Sequence, residues 1–342
     1  MRAAIYNPYL DTLGGGERYT LSFAKVLIKA GYKVDIQWNK SPIKKTLEDR
    51  FGMDLDEVSF VSDIGRGDGY ELCFWVSDGS IPTLRARRNI LHFQVPFHDV
   101  DGKTLLNKMK LFRISKIVCN SAFTKNIIDR EYGVKSVVIY PPVDVNKIKP
   151  KRKENIILYV GRFSKLVQSK RQDILIKTFK KLAAEDVLDK WQLILAGGVE
   201  VGVDDNLKRL RSLAKGFSVS LIESPSFKEL VDLYGKSKIY WSAAGYGIDE
   251  GKHPELTEHF GISLVEAMAA GCVPIVFEAG GQKEIIIGGE NGLLWKNIAK
   301  LSENTKKLIM DSKLLRSISK KAIEDSKKYS NERFEKEVLE II

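Results

Sequence analysis

Short apolar runs recur along the chain, separated by stretches whose apolar residues return every third or fourth position. Runs bounded by turn residues read as buried strands, and the longer periodic stretches as amphipathic helices. In the first half, "AAIYNP", "KVDIQW", "ELCFWVS", "NILHFQV", "KIVCNS" and "SVVIYPP" predict strands, with helices over Glu17 to Ala30 and Thr104 to Phe112. The charged "VNKIKPKRKEN" lacks apolar periodicity and reads as an interdomain linker. Beyond it, "NIILYVGR", "WQLILAGG", "VSLIES", "IYWSAA" and "CVPIVF" predict a second series of strands, and Lys306 to Ile342 reads as helix throughout. Strands alternating with helices predict an α/β fold of parallel sheets. Two such domains would meet at a cleft, with ligands outside the carboxyl ends of the strands.

The length of 342 residues supports two domains rather than one core. A hydrophobic share of 44% beside 29% charged residues fits a globular chain. No apolar run approaches the roughly 20 residues that span a bilayer, and "MRAAIYNPYL" reads as a first strand rather than a signal peptide. A cytoplasmic protein is expected, peripheral to the membrane if membrane-bound at all. The three cysteines lie far apart in apolar strands and read as buried thiols. No histidine pair has ligand spacing, so no metal is expected. The net charge of +11 points to an anionic partner: a phosphate-bearing small molecule, a lipid surface or nucleic acid.

Three stretches carry candidate chemistry. In "NPYLDTLGGGERYTLSF", Gly14 to Gly16 follow the first strand and open a helix with Glu17. Glycine lets backbone amides approach a ligand, and a helix N-terminus favours anions. The spacing matches neither a dinucleotide nor a Walker loop. In "YVGRFSKLVQSKRQDIL", Arg162, Lys165, Lys170 and Arg171 crowd a strand-to-helix loop. An arginine fork with a lysine charge suits a diphosphate, which favours Arg162 and Lys170, while Lys165 and Arg171 fit solvated loop charges.

The third stretch is "EHFGISLVEAMAAGCVPIV", from Glu258 to Val276. Ser263 and Glu266 have the spacing of a capping box, with Gly271 as the stop. Glu258 has no such role and would sit beside the amides of Phe260, Gly261 and Ile262, a polar nest for hydroxyls or phosphate. His92 ends the strand "NILHF" and is expected to face the cleft.

Together these motifs carry a resemblance. The two acids of "EHFGISLVEAMAAG" match the E-x7-E signature of the retaining glycosyltransferase family 4, the glycosyl transferases group 1. "GGGER", "NSAFTKNII", "YPPVD", "VGRF" with a following lysine, and "NGLLW" fall in that family's order over nearly the whole chain. The wording is closest to its lipid-linked-oligosaccharide mannosyltransferases. The resemblance implies a GT-B fold: a Rossmann-like acceptor-side domain over 1–148, a nucleotide-sugar-binding domain over 149–330, and a C-terminal helix over 331–342 packing back on the first. It implies transfer of a hexose, mannose or glucose, from a nucleotide diphosphate sugar to a hydroxyl of a glycan or lipid-linked sugar, with retention and without metal or other cofactor. By position, Glu258 would meet the transferred sugar, Glu266 the ribose, and Arg162 and Lys170 the diphosphate. His92 would lie near the sugar, with Gly15 and Gly16 at donor phosphate or acceptor. Lys170 lies eight residues after Arg162, farther than the family's usual spacing, so Lys165 stays open for the same role. The segment "GYGIDEGKHPELTE" is also longer than the family pattern.

Other readings remain at this stage. A nucleotide-sugar epimerase or phosphorylase on the same fold would need no acceptor. The charge and "RARR" at Arg85 to Arg88 would suit a nucleic-acid-binding or -modifying protein, although no nucleic-acid motif is present and no stable nucleic-acid partner is expected. The apolar-basic "KTLLNKMKLFRISK", Lys103 to Lys116, reads as either core or an anionic membrane surface, with core favoured.

Overall fold

A computed structural model describes residues 1–40, 42–163, 170–199 and 204–342, with the side chain of residue 204 left aside. The chain divides into two compact units, Met1–Pro142 with Asn331–Ile342, and Val143–Ser330.

The first unit holds a seven-stranded sheet: β1 (Arg2–Tyr6), β2 (Lys33–Gln37), β3 (Val58–Val61), β4 (Leu72–Val76), β5 (Arg88–Phe93), β6 (Lys116–Cys119) and β7 (Val137–Val138). Its order is β3-β2-β1-β4-β5-β6-β7, and every pair is parallel. The connecting helices are α1 (Gly15–Lys29), α2 (Lys44–Phe51), α3 (Leu105–Leu111) and α4 (Ala122–Tyr132). Parallel strands buried on both faces need near-continuous apolar sequence, which "AAIY" and "LCFWV" supply. The sequence pattern passed over β3, because "VSFV" is short and only its first residue is fully buried.

The second unit holds six parallel strands: β8 (Glu154–Val160), β9 (Gln192–Gly197), β10 (Val219–Glu223), β11 (Ser237–Ser242), β12 (Val273–Phe277) and β13 (Leu293–Trp295), in the order β10-β9-β8-β11-β12-β13. With them come α5 (Gln172–Ala184), α6 (Asp204–Ala214), α7 (Phe227–Lys236), α8 (Ile262–Ala269), α9 (Gln282–Ile285), α10 (Ile298–Met310) and α11 (Ser312–Ser326). Trp241, Trp295, Phe163 and Phe179 fill its core. In each sheet the strand order reverses beside the first strand, at β1/β4 and at β8/β11. Such a switch point leaves a crevice at the carboxyl ends.

The charged stretch after "YPPVD" is not a free linker. Val143, Val145 and Ile148 are buried, and Val143 bridges Ser330 within the second unit, so the unit boundary falls at 142/143. Two apolar residues within it, Val145 and Ile148, are too few to show a helix or strand period and still anchor it, with Val143 just before. The C-terminal region is also less continuous than its composition implied. Asp311 ends α10 and caps α11 by accepting from the Lys313 and Leu314 amides. A last helix, α12 (Asn331–Leu339), belongs to the first unit, where Phe334 and Val338 are buried. Arg333 there donates to the Tyr140 carbonyl at 2.9 Å.

All three cysteines are free and buried. Burial pushes the Cys73 and Cys119 thiols up to about 12 and Cys272 to about 11, so none is a thiolate at neutral pH. Among the described residues no helix is long and apolar enough to cross a membrane.

Candidate active site

In the second unit, β8 ends at Val160 and the chain turns through Gly161 and Arg162. The turn is tight: a Cβ on Gly161 would lie 2.1 Å from the Tyr159 hydroxyl, and one on Gly197 only 2.0 Å from the Gly161 carbonyl. Glycine at both positions brings the ends of β8 and β9 together. Gln172, buried at the start of α5, donates to the Arg162 carbonyl at 3.0 Å and fixes that turn.

Lys170 Nζ lies 2.7 Å from Glu258 Oε2, with side-chain exposures of 12% and 22%. The strand-to-helix loop and the acid loop therefore meet at one ion pair, 88 residues apart in sequence. Burial pushes the Glu258 carboxyl up, but the Lys170 ammonium, with charge from His259 and Arg162, outweighs it and holds it below its ordinary value of 4.5. Glu258 is ionised at neutral pH and able to accept hydrogen bonds from hydroxyls. Lys165 lies outside the described residues. Arg171 is not a solvated charge: it donates to the Tyr246 carbonyl at 2.7 Å and its guanidinium stands over the Tyr246 ring.

Three devices hold the acid loop. Gly280 and Gly281 back it so closely that Cβ atoms there would lie 2.1 Å from the Glu258 carbonyl and 2.3 Å from the His259 carbonyl. The Gly281 amide donates to the Glu258 carbonyl at 2.7 Å. Glu250, within the extra-long segment, accepts from the Gly280 amide and from Lys283. That segment is an organised strut rather than a slack insertion.

The expected capping box is absent. Gly261, at φ 115, is the N-cap of α8, and α8 starts one residue before Ser263. The Ser263 hydroxyl pairs with Tyr240 at 2.9 Å, and Glu266 accepts from the Tyr234 hydroxyl at 2.9 Å while 7% exposed. Two buried phenols compete successfully for the side chains that the local spacing would assign to helix amides. Phe260 is buried with its ring edge-on to Tyr329, and Ile262 is half-buried in the first turn. Gly271, at φ 75, ends the helix as expected. Lys153, from the charged stretch, donates to the Ala270 and Ser237 carbonyls, both at 2.7 Å, a cation at the C-terminus of α8.

In the first unit, α1 opens at Gly15, which is exposed, and Glu17 accepts from the Gly14 amide at 2.6 Å. Gly16 leaves room for Gln94, whose Oε1 would lie 1.7 Å from a Cβ there. His92 does not face an opening. It is fully buried, stacked on Tyr19 at 4.2 Å and near Phe74 at 5.3 Å, with Nδ1 3.1 Å from the Val118 carbonyl. Burial pushes it down to about 3, so it is a neutral ring. A strand-end position suggested exposure, but aromatic packing from α1 and β4 encloses the ring.

The residues that sequence reasoning missed are mostly supports: Gln172, Tyr234, Tyr240, Glu250, Lys153 and the Gly280-Gly281 pair. The glycine pair following "CVPIVFEA" was a readable signal, because adjacent glycines after a strand mark close backbone approach.

The model of the glycosyl transferases group 1 family matches residues 143–325, more than half of the chain, including Arg162, Lys170, Glu258 and Glu266 but none of the first-unit candidates. The chain belongs to that family. A relative is the GDP-Man:Man(3)GlcNAc(2)-PP-Dol alpha-1,2-mannosyltransferase of Dictyostelium discoideum, 27% identical over 244 residues that cover 66% of this chain and 46% of the relative. An uncharacterized glycosyltransferase of Methanocaldococcus jannaschii is 28% identical over 260 residues, 73% of this chain and 67% of that one. The chain thus spans about half the length of the Dictyostelium relative. Among solved structures, Anabaena HepE in complex with UDP and glucose superposes with a TM-score of 0.75 at 17% identity, covering 99% of this chain and 98% of that one. At that identity the likeness concerns the fold, two Rossmann-like units of the GT-B kind.

Proposed function

We propose that this group 1 chain transfers mannose from GDP-mannose to a hydroxyl of a lipid-linked glycan, retaining the anomeric configuration. The observation that carries the reading is the Lys170–Glu258 pair at 2.7 Å, at the carboxyl edge of a parallel sheet inside the family-matched region. The donor and acceptor classes are drawn from the relatives' names.

In this reading Glu258, kept ionised by Lys170, accepts hydrogen bonds from hydroxyls of the transferred sugar and orients it. Arg162 and Lys170 hold the diphosphate and offset the charge that builds on it as the glycosidic bond breaks. The backbone of Phe260, Gly261 and Ile262, at the N-terminus of α8, adds oriented dipoles to the same phosphates. Glu266, fixed by Tyr234, takes the ribose hydroxyls. Gly15 and Gly16, at the N-terminus of α1, are assigned to donor phosphate or acceptor. With fixed positive groups in these roles, transfer is expected to proceed without a divalent cation.

The test is to incubate the protein with GDP-mannose and a lipid-linked oligosaccharide in excess chelator, and to read the product by mass spectrometry and the new linkage by NMR. An added hexose with an axial anomeric bond supports the reading. Conversion of the nucleotide sugar with no acceptor consumed would replace it with an epimerase or phosphorylase.

A further inference from the structure

The stretch favoured as core in the sequence is on the outside. No residue of α3 is buried, and Leu105, Leu106, Met109 and Phe112 are 76%, 61%, 62% and 92% exposed. Leu105, Met109 and Phe112 stand at i, i+4 and i+7, so they form one stripe, with Leu106 beside it. Apolar patches of this kind mark interaction sites rather than ordinary surface.

The surroundings say what covers it. From Gly102 to Lys116 the chain carries Lys103, Lys108, Lys110, Arg113 and Lys116 and no acidic residue, while Lys125 farther on is paired with Asp129. Arg113 donates to the Leu84 carbonyl at 2.9 Å, and the Ser115 amide to the Asn89 carbonyl at 2.8 Å. These bonds bring the exposed Arg85, Arg87 and Arg88 beside the basic end of α3. Arg87 also pairs with Glu71 at 3.1 Å, so the other two carry most of that contribution. An apolar stripe inside a basic field is complementary to an acyl layer beneath anionic headgroups.

We propose that α3 and Phe112 of the first unit form a docking surface for an anionic lipid bilayer. The stripe enters the headgroup boundary while the lysines and arginines meet lipid phosphates. Nucleic acid would use the basic residues but would leave the leucines and Phe112 in water. The inference does not depend on the sugar-transfer reading, because docking is measured without donor or acceptor.

The experiment sediments the full chain with vesicles of phosphatidylcholine, with and without phosphatidylglycerol. Binding is expected only to the phosphatidylglycerol vesicles. The double variant Leu105→Ser with Phe112→Ser should lose it. Lys108→Ala and Lys110→Ala should weaken it about fivefold each. Since these side chains are exposed, thermal melting should be unchanged in all variants. Absent binding by the parent protein, or binding indifferent to the serine variant, overturns the proposal. So does a dimer in analytical ultracentrifugation that the serine variant converts to monomer, which would assign the stripe to a second copy. Binding to duplex DNA in place of vesicles would assign the basic run to nucleic acid and equally overturn it.

Discussion

The sequence marks both Glu258 and His92 as candidate site residues, yet the two regions treat them in opposite ways. Glu258 keeps its charge although it is largely buried, because Lys170 lies 2.7 Å away and glycines clamp its backbone. His92 loses its charge, because two aromatic rings enclose it and only a carbonyl meets its Nδ1. A buried titratable group remains chemically available when an opposite charge compensates its desolvation, and becomes packing when none does.

The largest effect that sharpens this contrast is on Glu258. Glu258→Ala should lower transfer by about 10³-fold with the fold intact, read as initial rates beside circular dichroism. His92→Phe should leave neutral-pH transfer far closer to the parent's. A loss matching that of Glu258→Ala would erase the distinction.

Next in size is the clamp. Gly280 has φ 61, and a Cβ there would meet the Glu258 carbonyl at 2.1 Å. Gly280→Ala should therefore cost about 3 kcal/mol in denaturant melts and depress transfer as well, because the acid loop must shift. Lys153→Met removes the cation from the C-terminus of α8 and leaves carbonyls short of a donor. It should cost about 1–3 kcal/mol, with a smaller effect on transfer than Gly280→Ala.

A pH slope comes last, because it leaves neutral-pH transfer untouched. With the His92 pKa lowered to about 3, the unfolded chain binds a proton below its ordinary value of 6.5 that the folded chain refuses. Stability then falls as pH drops from 6.5 toward 3, by up to about 1.4 kcal/mol per unit from this group. His92→Phe should flatten that slope in urea melts from pH 7 to 5. Glu258 has the same sign in a lower window: its lowered pKa contributes stability above its ordinary 4.5 that is lost only as pH falls below it, outside the pH 7 to 5 range.

Both sheets were legible because buried parallel strands need unbroken apolar runs, as in "NIILYV" and "LCFWV". The runs that escaped, "VSFV" and "LLW", are too short to show a period. Glu258 stood out because no helix rule accounted for it. The partners of Glu266 and Ser263 did not, since Tyr234 and Tyr240 come from α7 and β11 and local spacing is blind to them. Lys153 hid in a run of charges, and α3 looked like core because amphipathic periodicity is the same whether the apolar face meets protein or something else.

In the proposed function Lys170 and Glu258 act as one device on the donor. A double-mutant cycle on kcat/KM, using Glu258→Gln, Lys170→Met and both together, tests it most directly. Each single change should cost nearly as much as the pair. Losses that simply multiply would show two independent groups and contradict it.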